Sequence, residues 1–164
     1  MIRSSFTSDH AGFSVVDLLV TLAITALFAI IAIPQYRAVA AAFARDGAVQ
    51  QIEYDIRRAK AEAVSRSVHG VIEVSTDGET CTVGVDLVPF ASPPEIDEVI
   101  SEGTMPSTTS IETADNRLIF DSRGFLIDDT GAPITGTINF NQDDQLYAVG
   151  TIYSTGVFLL RINQ

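Results

Sequence analysis

Residues 13–33, FSVVDLLVTLAITALFAIIAI, form an almost unbroken apolar run whose only charge is Asp17. As a helix rising about 1.5 Å per residue it spans roughly 30 Å, the thickness of a bilayer's hydrocarbon core. Pro34 closes the run. Because proline has no N–H for the preceding turn, a kink or local melting is expected there. Beyond it the helical period persists: Tyr36, Val39 and Phe43, then Val49, Ile52, Ile56, Ala59 and Ala63, recur at steps of three and four. The pattern predicts one long helix whose second half lays this stripe on a sheet. Glu53, Asp55, Arg57, Arg58, Lys60 and Glu62 are expected to face solvent. Gly47 interrupts the pattern as a bend, a packing contact or a residue that simply costs helix stability.

From residue 68 the period changes to two. Residues 68–75 and 80–87 read as a hairpin closed by Thr76-Asp77-Gly78-Glu79. A loop holding Pro89, Pro93 and Pro94 follows, with one helical turn expected at 96–101. Short strands are expected around Ser110, at 118–121 and at 125–128, with Gly124 in the turn. The last three runs, 134–141, 145–153 and 157–162, are separated by Asn141-Gln142-Asp143-Asp144 and Ser154-Thr155-Gly156 and predict a β-meander. The fold class is α+β: a long N-terminal helix, transmembrane then amphipathic, packed on one or two antiparallel sheets of about seven or eight strands.

Composition narrows the function classes. The 164 residues allow one domain with an appendage, and 46% hydrophobic content supports a real core. The net charge is −11, and past His69 the only cations are Arg117, Arg123 and Arg161. Such a surface repels polyanions, so nucleic acid is a disfavoured partner. Cys81 is the only cysteine, which excludes an intrachain disulfide; its place in an alternating run reads as a small strand residue. The apolar run exceeds the usual secretory h-region of about 7–15 residues. The one A-x-A site, Ala38-Val39-Ala40, lies past Pro34 and Arg37, so ordinary signal cleavage is disfavoured. Asp17 is costly in lipid, by a few kcal/mol unless paired. No cation lies within a helical turn of it, so its partner must come from another chain or a newly freed N-terminus.

Gly12-Phe13-Ser14-Val15-Val16-Asp17-Leu18-Leu19-Val20 resembles the class III signal of type IV pilins and pseudopilins, and Ala32-Ile33-Pro34-Gln35-Tyr36 is similar to that family's helix farther on. The resemblance implies a leader at 1–12, cleavage by prepilin peptidase between Gly12 and Phe13, and N-methylation of Phe13. It also implies a transmembrane helix at 13–34, an amphipathic continuation at 35–69, and a periplasmic or extracellular β domain at 70–164. Asp17 takes the place of the family's acidic residue, which pairs with a neighbour's N-terminal amine during assembly. Here it is Asp rather than the usual Glu, keeping the charge with a shorter reach, as befits a low-copy subunit.

Arg57-Arg58-Ala59-Lys60-Ala61-Glu62-Ala63-Val64, the strand Val71-Ile72-Glu73-Val74, and Phe120-Asp121-Ser122-Arg123-Gly124 resemble the minor pseudopilin H and FimT-like branch. The paired cysteines of many major pilins are missing, as is any tryptophan. The resemblance implies a single-pass bacterial inner-membrane subunit of a pilus or type II secretion pseudopilus. Its partners are other pilin or pseudopilin subunits, and it has no cofactor and no enzymatic role. The alternative within this branch is a FimT-like minor pilin that binds DNA for uptake, which needs an exposed basic patch.

Other chemistry finds little support. Asp129-Thr130-Gly131 resembles an aspartic protease loop, but Asp128 stands where an apolar residue belongs, and the segment reads as a turn. Asp128, Asp129, Asp143 and Asp144 lack the ligand spacing of an EF-hand and read as solvated loops. His10 lies in the leader and His69 stands alone at the helix-to-strand junction, so neither forms a metal or catalytic set.

Overall fold

The computed structural model describes residues 14–88, 94–106 and 108–162. The cleavage pair Gly12 and Phe13, His10, and Pro89 and Pro93 lie outside the described residues. Two compact units divide the chain, Met1–Ala40 and Ala41–Gln164.

The helix α1 runs Val15–Arg66, with Pro34 inside it and helical geometry kept on both sides. It starts at Ser14, whose Oγ accepts the Val16 N–H at 3.2 Å while its carbonyl accepts the Asp17 N–H at 3.0 Å, a serine cap. It ends three residues short of the expected 69. Ser67 takes a left-handed φ of 57° and the Val68 N–H reaches back to the Ala63 carbonyl at 3.1 Å, closing the helix before β1.

Among the described residues nine strands follow: β1 (His69–Val74), β2 (Thr80–Asp86), β3 (Glu98–Thr104), β4 (Thr109–Thr113), β5 (Arg117–Phe120), β6 (Leu126–Ile127), β7 (Gly136–Gln142), β8 (Gln145–Ile152) and β9 (Phe158–Ile162). They make a five-stranded sheet ordered β3-β2-β1-β5-β6 and a four-stranded sheet ordered β4-β7-β8-β9. The α+β class stands, with one more strand than the pattern predicted. The extra one is β3, where a helical turn was expected. Its residues pair antiparallel with β2, Cys81 opposite Gly103 and Thr82 opposite Glu102, and so satisfy an edge of backbone donors and acceptors that one helical turn would leave open.

The predicted hairpins hold. Around Asp77-Gly78 the Ser75 N–H donates to the Thr80 carbonyl at 2.9 Å, and the Asp77 Oδ1 accepts the Glu79 N–H at 3.0 Å. The β7–β8 turn tightens to Asp143-Asp144, with φ of 50° and 62°, the positive pair that suits the twist of a two-residue hairpin.

One core joins the helix to both sheets. Ala48, Ile52, Ile56, Ala59 and Ala63 pack with Ile72, Val83, Phe120, Ile138, Phe140 and Ile152. Each large side chain so buried contributes about 1.5–3 kcal/mol. The predicted stripe thus packs on the core from Val49 onward, whereas Phe43 stays exposed. Contact between helix and sheet is close because the residues are small: a Cβ on Gly70 would collide with the Ala59 carbonyl oxygen. Gly47 makes a packing contact, its Cβ position lying 3.3 Å from the Pro106 Cγ.

Asp55 is a correction. Expected on the solvent face, it is 1% exposed, because it falls on the Ile52–Ala59 side of the helix. The Gln51 Nε2 donates to its carboxylate at 3.1–3.2 Å.

Candidate assembly surfaces

Among the described residues, α1 alone is long and apolar enough to cross a membrane, and none of its most apolar stretch is buried within the chain. Val15, Leu18, Leu22, Phe28 and Ile31 are all exposed. Its hydroxyls are satisfied within the helix: the Thr21 Oγ1 donates to the Asp17 and Leu18 carbonyls at 2.9 Å, and the Thr25 Oγ1 to the Thr21 carbonyl at 2.7 Å. That arrangement suits a bilayer, where lost partners are not replaced by water. Asp17 occupies the first turn, where the helix dipole favours a negative charge. Among the described residues it forms no ion pair.

In the other unit, the helix residues singled out in the sequence prove to be tethers to the sheets. Arg58 donates through Nη2 to the Ile100 carbonyl on β3 at 3.3 Å. The Lys60 Nζ donates to the Gly156 carbonyl at 3.0 Å and to that of Thr155 at 3.4 Å, tying the helix to the β8–β9 turn. Gly124 sits against the Lys60 stem with φ of 82°, a conformation for which glycine is suited. Arg57 pairs with Glu53, and Arg66 with Glu62 at 2.8 Å and Glu98 at 3.0 Å.

The Phe120–Gly124 motif is a turn built around Asp121. Its carboxylate accepts the Phe125 N–H at 2.8 Å, the Arg123 N–H at 2.9 Å and the Arg123 Nε–H at 2.9 Å. Burial works against its ionisation, but these hydrogen bonds outweigh it and hold the carboxyl below the ordinary aspartate range.

Asp128 accepts the Thr130 N–H and Ala132 N–H, both at 2.9 Å, and the Thr130 hydroxyl at 2.7 Å, so Asp-Thr-Gly is a self-bonded turn. Asp129 lies 3.9 Å from the Arg117 Nη1. Among the described residues no group of three or more His, Cys, Asp and Glu side chains could hold a metal. Cys81 is wholly buried, and burial together with the Asp55 charge pushes its thiol up to about 12, which makes it inert.

Three arrangements escaped the sequence reading. His69 is not alone: its Nδ1 lies 3.5 Å from the Asp86 Oδ2, a pairing the β1–β2 register, His69 opposite Asp86, would have revealed. Asp55 and Cys81 share the core, and the signal for Asp55 was its spacing, three residues past Ile52 and four before Ala59. The third is a patch on the helix. There the Arg45 Nε donates to the Gln142 Oε1, its guanidinium lies 5.5 Å from the Tyr147 ring centre, and the Tyr147 hydroxyl donates to the Arg45 carbonyl at 3.3 Å.

The family described as type II transport protein GspH matches residues 48–156, which run from the first buried helix residue to the Lys60-bound turn. The fold is similar to the type IV minor pilin FimU of Pseudomonas aeruginosa, with a TM-score of 0.56 and 20% identity over 71% of this chain and 87% of that one. It is similar also to the minor pseudopilin EpsH of the Vibrio cholerae type II secretion system, with a TM-score of 0.50 and 13% identity over 73% of this chain and 96% of that one. No curated protein sequence matches the chain.

Proposed function

The chain belongs to the GspH family of type II transport proteins, and from that premise we propose that it is a minor pilin or pseudopilin released from its leader by prepilin peptidase between Gly12 and Phe13. Its role is structural. After cleavage the Phe13 amine is methylated, α1 holds the subunit in the inner membrane, and the domain from residue 41 onward faces the periplasm. During assembly the exposed apolar face of α1 exchanges lipid for the helices of neighbouring subunits, and Asp17 pairs with a neighbour's N-terminal amine.

The observation that carries this reading is a helix whose apolar stretch finds no cover in its own chain, running on into a domain that the GspH family matches. An unpaired carboxylate in such a stretch is expensive in lipid, so relief by an amine supplies a driving force for leaving the bilayer. DNA capture gains no support from the surface. Arg57, Arg66, Arg117 and Arg123 all lie within 4.0 Å of carboxylates, and Arg58 and Lys60 are bound to backbone carbonyls, so six of the ten cations are already engaged within the domain.

The test is incorporation of Asp17→Ala and Asp17→Glu subunits into sheared filaments, measured against their amounts in the membrane. Ala should insert normally but assemble at least tenfold less, while Glu assembles like the parent. Equal assembly of all three would remove Asp17 from the mechanism.

A further inference from the structure

β9 is the outer strand of the four-stranded sheet: it pairs with β8 on one side and with nothing described on the other. The hydrogen-bond phase of this strand follows from its turn. The Tyr153 N–H donates to the Val157 carbonyl at 2.9 Å, so residues 153 and 157 form a hydrogen-bonded pair. Antiparallel pairing then alternates, and in the observed register Thr151 with Leu159 and Val149 with Arg161 are the next such pairs. The backbone groups of Phe158, Leu160 and Ile162 therefore point away from β8, to the open edge.

The same three residues share one side-chain face. Phe158 packs on Phe140 with ring centres 6.5 Å apart, while Leu160 and Ile162 line a groove of about 210 Å³ with Val49, Tyr147 and Arg45. This face is uncovered progressively along the strand, Leu160 being 38% and Ile162 66% exposed. On the opposite face Arg161 has Val149 as its cross-strand neighbour and no carboxylate within 4.0 Å among the described residues. Exposed apolar edges are ordinarily blunted by proline, bulges or several charges, and Phe-Leu-Leu-Arg-Ile has one cation only.

We infer that the outer edge of β9 receives an extended strand from a different subunit of the assembly, apolar at the positions over the groove and acidic at those beside Arg161. The backbone ladder supplies affinity and the alternation supplies selectivity, as in other cases of strand addition. That the strand comes from a neighbouring subunit rests on the proposed function; the chemistry of the edge does not.

The probe is a capped heptapeptide alternating valine and glutamate, added to the full chain in detergent micelles, with amide hydrogen exchange read by NMR. A heptapeptide alternating valine and lysine is the control. Strand addition slows exchange at Phe158, Leu160 and Ile162 at least tenfold and leaves Leu159 and Arg161, already bonded to β8, unchanged. The lysine peptide protects far less. Leu160→Pro removes one outward donor and abolishes the effect, and Leu160→Lys, which keeps the backbone, weakens it by removing the groove contact. Cys81 masking from thiol reagents shows that each variant is folded.

Protection that is absent, that fails to alternate, or that is equal for the lysine peptide overturns the inference. The same alternating pattern arising without peptide as the chain is concentrated would give the edge to a second copy and overturn it equally. Failure of the assembly reading looks different: an unprocessed N-terminus beside an intact alternating pattern.

Discussion

Asp55 provides a sharp quantitative test of how α1 is held on the sheets. The residue is 1% exposed, among Ile52, Ile56 and Ala59, with Gln51 as donor. Burial raises its pKa above the usual aspartate value, and the Gln51 hydrogen bond, the Arg58 charge and Cys81 offset this only in part. The sign follows. Below the unfolded pKa, near 3.8, both states hold the proton and Asp55 contributes no pH dependence. As pH rises through the raised folded value, the unfolded chain ionises more readily than the folded one, and stability is lost. Each unit of upward shift costs about 1.4 kcal/mol.

Asp55→Asn removes that penalty while keeping the shape and a hydrogen-bonding group for Gln51. Its advantage over the parent should be smallest at pH 4 and grow steadily as the pH rises to 7. Asp55→Ala instead leaves a cavity and an orphaned Gln51, and should be less stable than the parent by about 2 kcal/mol at pH 4, a deficit that narrows as pH rises because alanine too lacks the ionising group. Because Cys81 is the only cysteine and is wholly buried, pulsed thiol labelling across a urea series reads unfolding of the full chain in micelles. A difference between Asn and Asp that stays constant from pH 4 to 8, or that shrinks as pH rises, would refute the reasoning.

Further outcomes follow from the same contacts. Lys60→Met keeps the aliphatic stem but deletes the bonds to Thr155 and Gly156, and should cost about 1–2 kcal/mol in the same urea series, with faster amide exchange in the 154–156 turn. Gly70→Val drives a side chain into the Ala59 carbonyl and should cost at least about 3 kcal/mol, seen as a lowered urea midpoint; an unchanged midpoint would mean that helix and sheet are not in the contact described. Asp121 has a lowered pKa, so its contribution is present above the unfolded value and lost as pH falls through the folded one; Asp121→Asn should therefore be less stable than the parent at pH 6 and approach it as the pH is lowered through the acid range.

The elements with strong local signals were legible in the sequence. The apolar run, the three-four stripe from Val49, the Asp77-Gly78 turn and the final meander each rest on period or turn chemistry, which operate over a few residues. What could not be read depends on partners far along the chain. β3 looks helical in isolation and becomes a strand because β2 offers an edge. The central position of β1, between β2 and β5, follows from long-range pairing that no local pattern encodes. Asp55 reads as one of several solvent-facing charges by its residue type, and its burial follows from its place on the Ile52–Ala59 face of the helix. The site divides likewise: the proposed processing signal and Asp17 are sequence features, while the Lys60 tether and the β9 edge required the folded domain.

The central claim is that the chain is processed as a pilin and assembled through its first helix. Intact-mass and N-terminal peptide mass spectrometry of the protein purified from its own membrane tests it most directly. The account predicts a mature chain beginning at Phe13 and carrying one methyl group on its amine. A chain that retains Met1, or begins at Ala41 after cleavage behind Ala38-Val39-Ala40, would contradict it.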